Sequence, residues 1–425
     1  MPFSILMVTD SYLPLIGGAT RDTQLLCREL VKRGHQVVVA TAWNPGMPEQ
    51  EFYADDGVKV YRIKGLAARM PWFSTDPGRR HHPPFPDPAA VWAFRRVIHK
   101  VRPDLVHSYG WITYSCAAAM WGKKIPMLLS ARDYSNICAV RTLVREVPGG
   151  TEQCSGPAPA KCMACATRYY RGKAKAAVAV GGVLSGRTLL NWKMSGLHSC
   201  STYVRGVMRR HLLGKHGARL DSMPNLAIQG FRDDGSDTAP EQAILDRLPA
   251  EPFILFVGAL RLVKGLEPLM AAYQRLAAPP PLVLMGTPQP ETPKEFPPGV
   301  TVLHSVPHGT VMAAWERALF GVAPSLLAEP LGNVVHEGMS KGKAMIGTAP
   351  SGMADMIIPD ETGLLVQAGN VDALADAMRR LIDDGELRER LGRAARERAG
   401  LFTADIVVPR FEALYTETLR TSRIR

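Results

Sequence analysis

The chain has 425 residues, 46% of them hydrophobic and 21% charged, with 51 Lys and Arg against 39 Asp and Glu and a net charge of +12. That length points to two domains of ordinary size, and the apolar content excludes a disordered chain. No apolar run approaches the ~20 residues of a membrane-spanning helix. Residues 3–8 lack the basic flank and cleavage site of a signal peptide, so a cytoplasmic protein in a reducing compartment is expected.

Short apolar runs at 3–9, 36–41, 58–63, 105–108 and 127–130 predict strands, each flanked by Gly, Pro or Asp. Amphipathic stretches at 20–33 and 88–100 predict helices between them. Alternating strands and helices imply βαβ units around a parallel sheet. Residues 66–89 interrupt the pattern with six prolines and the cluster Arg79, Arg80, His81 and His82. So long an irregular loop in a compact domain is often functional, and it is equally consistent with a surface insertion. Residues 229–252, rich in Gly, Asp, Ser and Pro, read as a linker-like surface segment. The pattern then restarts, with strands predicted at 253–257, 282–285, 300–303, 321–324, 344–347 and 363–366. A final helix is predicted at 404–420.

The charge is uneven. Residues 153–220 hold twelve Lys or Arg and no Asp or Glu. Removing those twelve from the 51 leaves 39 basic residues, equal to the 39 acidic ones. The aromatics in the segment are few (Tyr169, Tyr170, Trp192 and Tyr203) and no nucleic-acid-binding motif accompanies them, so nucleic acid is not an expected partner. Within it, residues 202–213 place Val204, Val207, Met208 and Leu212 on one helical face with Arg205, Arg209 and Arg210 elsewhere. Such a helix suits peripheral contact with an anionic membrane, and suits packing on its own domain equally well.

Three segments carry candidate chemistry. Gly17-Gly18, after the first strand and before a helix, would let backbone N–H groups approach an anion at the helix's positive end. The turn 258–265 places Arg261 and Lys264 at the C-terminal edge of a strand, where two cations suit a diphosphate. In the run from Glu329 to Glu337, one carboxylate enters a helix in a Pro/Gly turn and the other lies about two turns in, a pair suited to the hydroxyls of a sugar and a ribose. Singly, each also fits a solvated turn or helix face.

In their order and spacing these features resemble the family 4 retaining glycosyltransferases of GT-B fold. The opening MVTDSYLPLIGG, Arg102 to His107, Met223-Pro224-Asn225, the 258–265 turn, Glu329 to Glu337, and Glu361 to Val366 carry the likeness. It implies an α/β fold of two Rossmann-like domains facing a cleft, with a C-terminal helix crossing back to the first. Residues 1–224 with 404–425 would form the acceptor domain and 225–403 the donor domain. It also implies roles: Glu329 on the donor sugar, Leu331, Gly332, Asn333 and Val334 as backbone near sugar and phosphates, and Glu337 on the ribose. Lys264 would meet the diphosphate, with Gly17 and Gly18 closing on it. The donor would be a nucleotide-diphosphate sugar, with no cofactor or metal required, and the acceptor a hydroxyl or amine on a small molecule, glycan or lipid-linked species. The same residues would serve another GT-B chemistry, such as phosphorolysis or epimerisation, or a non-catalytic nucleotide-sugar-binding or membrane-associated scaffold.

Two positions depart from the family pattern. Ala259 stands where Arg commonly follows the glycine of the basic turn, and Arg261 is the expected substitute. Arg132-Asp133 replaces a His-Asp pair, so Arg132 is expected to donate hydrogen bonds to donor or phosphate, since a guanidinium accepts none. Cys138, Cys154, Cys162 and Cys165, spaced C-x15-C-x7-C-x2-C, resemble a cysteine-bearing insertion of a family subset and read either as a metal site or as packed thiols. Cys27, Cys116 and Cys200 read as core thiols, and His107, His304 and His336 as packed residues. The Pro-rich loop at 66–89 is the expected acceptor contact.

Overall fold

The first apolar run becomes the centre of a parallel sheet. The computed structural model describes residues 2–14, 18–47, 52–69, 82–147, 150–213 and 239–423. Gly17, residues 70–81 of the Pro-rich loop, Met223-Pro224-Asn225 and the first part of the linker-like segment lie outside the described residues. The chain divides into two units, one of Met1–Arg145, Cys154–Gly230 and Ala404–Arg425, the other of Glu146–Gln153 and Phe231–Thr403.

In chain order the first unit contains β1 (Ser4–Thr9), α1 (Gly18–Lys32), β2 (Gln36–Ala42), β3 (Phe52–Asp55), β4 (Val58–Ile63), α2 (Pro88–Val101), β5 (Leu105–Tyr109), α3 (Ile112–Ala119) and β6 (Met127–Ala131). A two-stranded ribbon follows, β7 (Val144–Val147) and β8 (Gly150–Gln153), whose residues from Glu146 to Gln153 are grouped with the second unit. The first unit resumes with α4 (Pro159–Tyr170), α5 (Lys173–Lys193), β9 (Gly196–Ser199) and α6 (Thr202–Met208). The seven-stranded sheet runs β3-β4-β2-β1-β5-β6-β9. Only β3 is antiparallel, paired with β4 at the edge, and so short an edge strand gave no sequence signal. The predicted strands fall within a residue or two of those observed because each is buried on both faces and reads as a continuous apolar run. β9 was not predicted, since Gly196-Leu197-His198-Ser199 has neither an apolar run nor alternation.

Local chemistry sets the helix ends. Asp87 caps α2 by accepting from the Ala89 and Ala90 amides at 3.0 and 3.1 Å, Pro88 occupies the first turn, and Arg102 ends the helix in left-handed geometry. The apolar face of α6 and the turn after it is core: Val204, Val207, Met208 and Leu212 are all buried. Of the two fates open to that helix, packing within its own unit is the one observed.

The second unit contains α7 (Gln242–Leu245), β10 (Phe253–Val257), α8 (Leu266–Tyr273), β11 (Leu282–Met285), β12 (Val300–Leu303), α9 (His308–Arg317), β13 (Ala318–Val322), α10 (Asn333–Ser340), β14 (Met345–Ala349), β15 (Leu364–Gln367), α11 (Val371–Asp383) and α12 (Gly385–Ala399). Its sheet is parallel throughout, in the order β12-β11-β10-β13-β14-β15. β13 lies three residues upstream of its predicted start, because Pro324 cannot donate to a ladder and the strand ends before it.

The last helix, α13 (Ala404–Arg423), belongs to the first unit. Val407, Phe411, Leu414 and Tyr415 enter the core built by Ile5, Met7, Leu26, Leu30 and Val39. Polar contacts fix its rotation. Glu412 takes both guanidinium nitrogens of Arg33 at 2.8 and 2.9 Å and the His35 Nε2 at 2.8 Å. His35 Nδ1 accepts from the Phe3 amide at 2.9 Å, which makes Nε2 the donor. A buried chain runs from the Tyr415 hydroxyl to His107 Nδ1 (2.8 Å), from His107 Nε2 to Ser130 (2.6 Å), and from Ser130 to His198 (2.8 Å). His107 is therefore a packed residue that ties α13 to β5, β6 and β9.

Candidate active site

In the second unit, β10 ends at Gly258 and the chain turns through Leu262–Lys264 into Gly265, which starts α8 with φ 83°. Only glycine suits that position: besides the left-handed backbone, a Cβ would overlap the Pro324 carbonyl oxygen. The close approach lets the loop after β13 hydrogen-bond back onto the turn, with the Leu326 and Leu327 amides donating to the Val263 carbonyl at 3.0 and 3.1 Å.

That stitching brings Lys264 and Glu329 together across 65 residues of sequence. Lys264 Nζ lies 2.5 Å from Glu329 Oε1, and the Ser325 hydroxyl donates to the same oxygen at 2.8 Å. The backbone of Glu329 is held in turn by the Gly352 amide, 2.7 Å from its carbonyl oxygen. Glu329 is only 12% exposed and Lys264 31%, so the pair keeps one side toward solvent.

Past Glu329 the chain reaches Gly332 at φ 97°, and α10 begins with neither a side-chain cap nor an acidic residue in its first turn. The positive end of this helix is thereby available to an anion. Leu331 is buried, while Asn333 and Val334 open the helix half-buried. Glu337, one turn further in and buried, has His308 Nε2 at 3.3 Å. His336 faces the other way, with Nε2 3.1 Å from the Ala399 carbonyl oxygen and its ring edge-on to Phe402, and so anchors α10 to the end of α12. His304 is exposed.

Arg261 sits on the same basic turn but forms its ion pair with Glu291 at 3.1 Å, 41% exposed. In the first unit, Gly18 begins α1 and Gly17 is outside the described residues. Arg132, just past β6, donates to Thr23 of α1 at 3.0 Å and lies over the Tyr109 ring at 5.9 Å. Asp133 accepts from the Ser135 amide at 2.9 Å.

Two first-unit residues escaped the sequence reading. Asp10, just after β1, accepts from the Trp111 and Ile112 amides at 3.0 and 2.8 Å, so it serves the N-terminus of α3. Arg141 reaches Asp10 at 3.2 Å, and its guanidinium stacks 3.9 Å above the Trp111 ring. Burial opposes the charge of Arg141, yet Asp10 and Asp133 hold its pKa above the ordinary value. Burial, with those carboxylates, also pushes Tyr109 well above its ordinary pKa. The available signal was the position of Asp10, a carboxylate at the C-terminal end of a parallel strand, where such sheets place ligand contacts. Nothing local marked Arg141, which meets Asp10 only through the tertiary fold.

The four cysteines of the insertion are each half-buried and not joined by disulfides. Cys154 donates weakly to the Gly156 carbonyl, and Cys162 accepts from the Ala158 amide at 3.4 Å. Among the described residues no three His, Cys, Asp or Glu side chains gather as metal ligands. Cys27, Cys116 and Cys200 are buried, and burial pushes the thiols of Cys116 and Cys200 up to about 12.

Residues 17–221 match the family model described as glycosyl transferase 4-like domain, and residues 239–398 match glycosyl transferases group 1. The chain belongs to the family 4 glycosyltransferases. It is 29% identical over 212 residues to the D-inositol 3-phosphate glycosyltransferase of Xylanimonas cellulosilytica, covering 46% of this chain and 51% of that protein. The alignments span from 21% to 51% of the length of the first curated relatives. Among solved structures, the sucrose-phosphate synthase of Thermosynechococcus elongatus shares the fold with a TM-score of 0.69 at 20% identity, covering 97% of this chain and 98% of that one. Alr3699/HepE of Anabaena in complex with UDP and glucose gives a TM-score of 0.64 at 15% identity, covering 97% and 99%. The fold of this glycosyltransferase is therefore GT-B.

Proposed function

We propose that this glycosyltransferase moves a sugar from a nucleotide-diphosphate donor to an acceptor hydroxyl or amine with retention at the anomeric carbon. The observation that carries the reading is the Lys264–Glu329–Ser325 cluster, set one short turn before the uncapped N-terminus of α10. A cation and a positive helix end address a diphosphate, and the adjacent carboxylate addresses sugar hydroxyls. Glu329 Oε1 already takes Lys264 and Ser325, so Oε2 is the oxygen that donor hydroxyls would meet. Glu337 would accept from the ribose, and the amides of residues 331–334 would approach the phosphates. Arg261 would exchange Glu291 for a phosphate oxygen.

In this reading residues 225–403 form the donor domain, and residues 1–224 with 404–425 the acceptor domain. Gly18 at the start of α1, with Gly17 next to it in sequence, would close on the diphosphate, and Arg132 would donate hydrogen bonds to donor or phosphate. The bond from the anomeric carbon to the diphosphate oxygen breaks, and the bond to the acceptor oxygen forms on the same face. The acceptor proton passes to the departing diphosphate. Lys264, Arg261 and the α10 dipole stabilise the charge on that leaving group, so the step calls on no metal. The UDP and glucose held by the Anabaena protein support a nucleoside diphosphate sugar as donor.

A panel of nucleotide sugars, incubated with candidate acceptors and followed by NMR at the anomeric proton, tests the proposal. A product of the donor's own anomeric configuration supports it. An inverted product, an epimerised donor, or tight binding with no turnover on any acceptor refutes it.

A further inference from the structure

No helix among the described residues is long and apolar enough to cross a membrane, and the apolar face of α6 is buried in its own unit. The basic segment still needs something to face. Two of the most exposed large apolar side chains among the described residues stand in or near it: Trp121 is 66% exposed and Trp192 56%, with ring centroids 4.7 Å apart. Water does not favour leaving two indoles side by side on a surface. Membrane interfaces do, because the ring is apolar and its N–H stays hydrated.

Their place in the fold separates them from the sugar chemistry. Trp121 follows the C-terminus of α3 and precedes β6, and Trp192 lies in the last turn of α5 before β9. The starts of those two strands adjoin, the Ser195 amide donating to the Met127 carbonyl at 2.7 Å. The pair therefore marks the N-terminal edge of the sheet. Asp10, Arg132 and the start of α1 sit at the opposite, C-terminal edge, where parallel sheets bind substrates.

The surroundings are cationic. Lys123 and Lys124 are exposed, and Lys193 Nζ both donates to the Lys123 carbonyl at 2.8 Å and lies 6.0 Å from the Trp192 ring. Arg209 and Arg210 are exposed on the turn after α6. That turn is tied to α5 by Arg187 and Asn191, which donate to the His211 and Leu212 carbonyls at 2.9 and 2.8 Å. The outer face of α5 leading to Trp192, through Ala177, Gly181, Ser185 and Thr188, is exposed and uncharged. Residues 153–213 contain no carboxylate to repel an anion.

We infer that this edge of the first unit, centred on Trp121 and Trp192 with Lys123, Lys124 and Lys193 beside them, docks on an anionic lipid bilayer. Indole rings enter the headgroup region while the cations stay at the phosphate level. Exposed indoles beside cations suit a laterally uniform anionic partner. A defined polar ligand such as a glycan calls for carboxylate acceptors, and the segment has none. The inference is independent of the donor chemistry proposed above.

Co-sedimentation of the full chain with vesicles tests it, comparing phosphatidylcholine alone with phosphatidylcholine containing about 30% phosphatidylglycerol. Binding is expected to the anionic vesicles only, and to weaken as salt rises. Trp121→Ala with Trp192→Ala should cut partitioning about tenfold, and Lys123→Gln and Lys124→Gln about fivefold each. Trp121→Phe with Trp192→Phe should keep most of the binding while losing the blue shift of tryptophan emission on vesicle addition. Thermal melts of all variants report folding. Equal partitioning to neutral vesicles overturns the inference, as does binding unchanged in the alanine pair, or capture by an anionic polysaccharide with none by vesicles.

Discussion

Replacing Lys264 by Ala removes the cation that pairs with Glu329 and the charge assigned to the leaving diphosphate. The ion pair is 2.5 Å long, with Lys264 31% and Glu329 12% exposed. At an effective dielectric near 20, unit charges about 4 Å apart interact by roughly 4 kcal/mol, and partial exposure lowers the figure. Loss of one fixed donor to developing negative charge costs about 2.7–4 kcal/mol in other enzymes, or ~10²–10³ in kcat. Lys264→Ala should therefore lower kcat/KM by about 10²–10³, mostly in kcat, because the diphosphate gains charge as the sugar leaves. Lys264→Arg, which keeps the charge, should recover most of it. Glu329 retains the Ser325 hydroxyl in the alanine variant, so Tm should fall by only a few degrees. Steady-state kinetics with the donor found by screening, beside calorimetry, separate the effects. If Lys264→Ala stays within about threefold of the parent in kcat, Lys264 does not stabilise the leaving group and its pairing with Glu329 is structural. A double variant with Glu329→Gln should be much less than additive, since both act on one bound donor.

Tyr415→Phe deletes one end of the buried chain through His107, Ser130 and His198, and leaves His107 Nδ1 without its hydroxyl partner. A loss of about 1–2 kcal/mol is expected, with earlier proteolytic release of α13; an unchanged melt would show that the chain does not hold that helix. Burial lowers the pKa of His107 well below 6.5 and also lowers those of His82 and His336. A base with a depressed folded pKa gives stability that is fully present above its unfolded value and lost as pH falls toward the folded one. Tm should therefore be flat from pH 8 to about 7 and decline below about 6.5, with a shallower decline in His107→Gln; a pH-independent Tm down to about 5 would contradict this. Gly265→Ala forces a Cβ into the Pro324 carbonyl at φ 83°. It should cost at least ~2 kcal/mol and weaken donor binding together, because the same turn carries Lys264. A variant with parental stability and donor KM would show that the turn relaxes freely.

Most of the framework could be read from local pattern. The strands of the two sheets lie near their predicted positions because a parallel strand covered on both faces is a continuous apolar run, a signal complete within five or six residues. The elements that escaped were those without such a run: the edge strand β3, the polar-centred β9 and the ribbon β7-β8. The Glu329 to Glu337 segment was legible only in part: a turn leading into a helix was expected, but α10 starts at Asn333, so Glu329 lies before the helix and Glu337 one turn in rather than two.

Everything that joins distant segments was settled by the fold. Sequence marked Lys264 and Glu329 as separate candidates, but their contact exists only because Gly265 admits the Pro324 carbonyl and the two loops bond to each other. Arg261 and Lys264 look equivalent as neighbouring cations, yet one meets Glu291 at the surface and the other Glu329. Asp10 and Arg141 stand 131 residues apart and gave no joint signal. The sequence by itself determined the alternation of strands and helices, the family likeness and the location of the net charge, because period, motif order and composition are properties of the chain. Which side chains meet, which face of α6 is core, and which edge of the sheet carries the exposed tryptophans were decided by tertiary structure, because those depend on how strands cross over and pair.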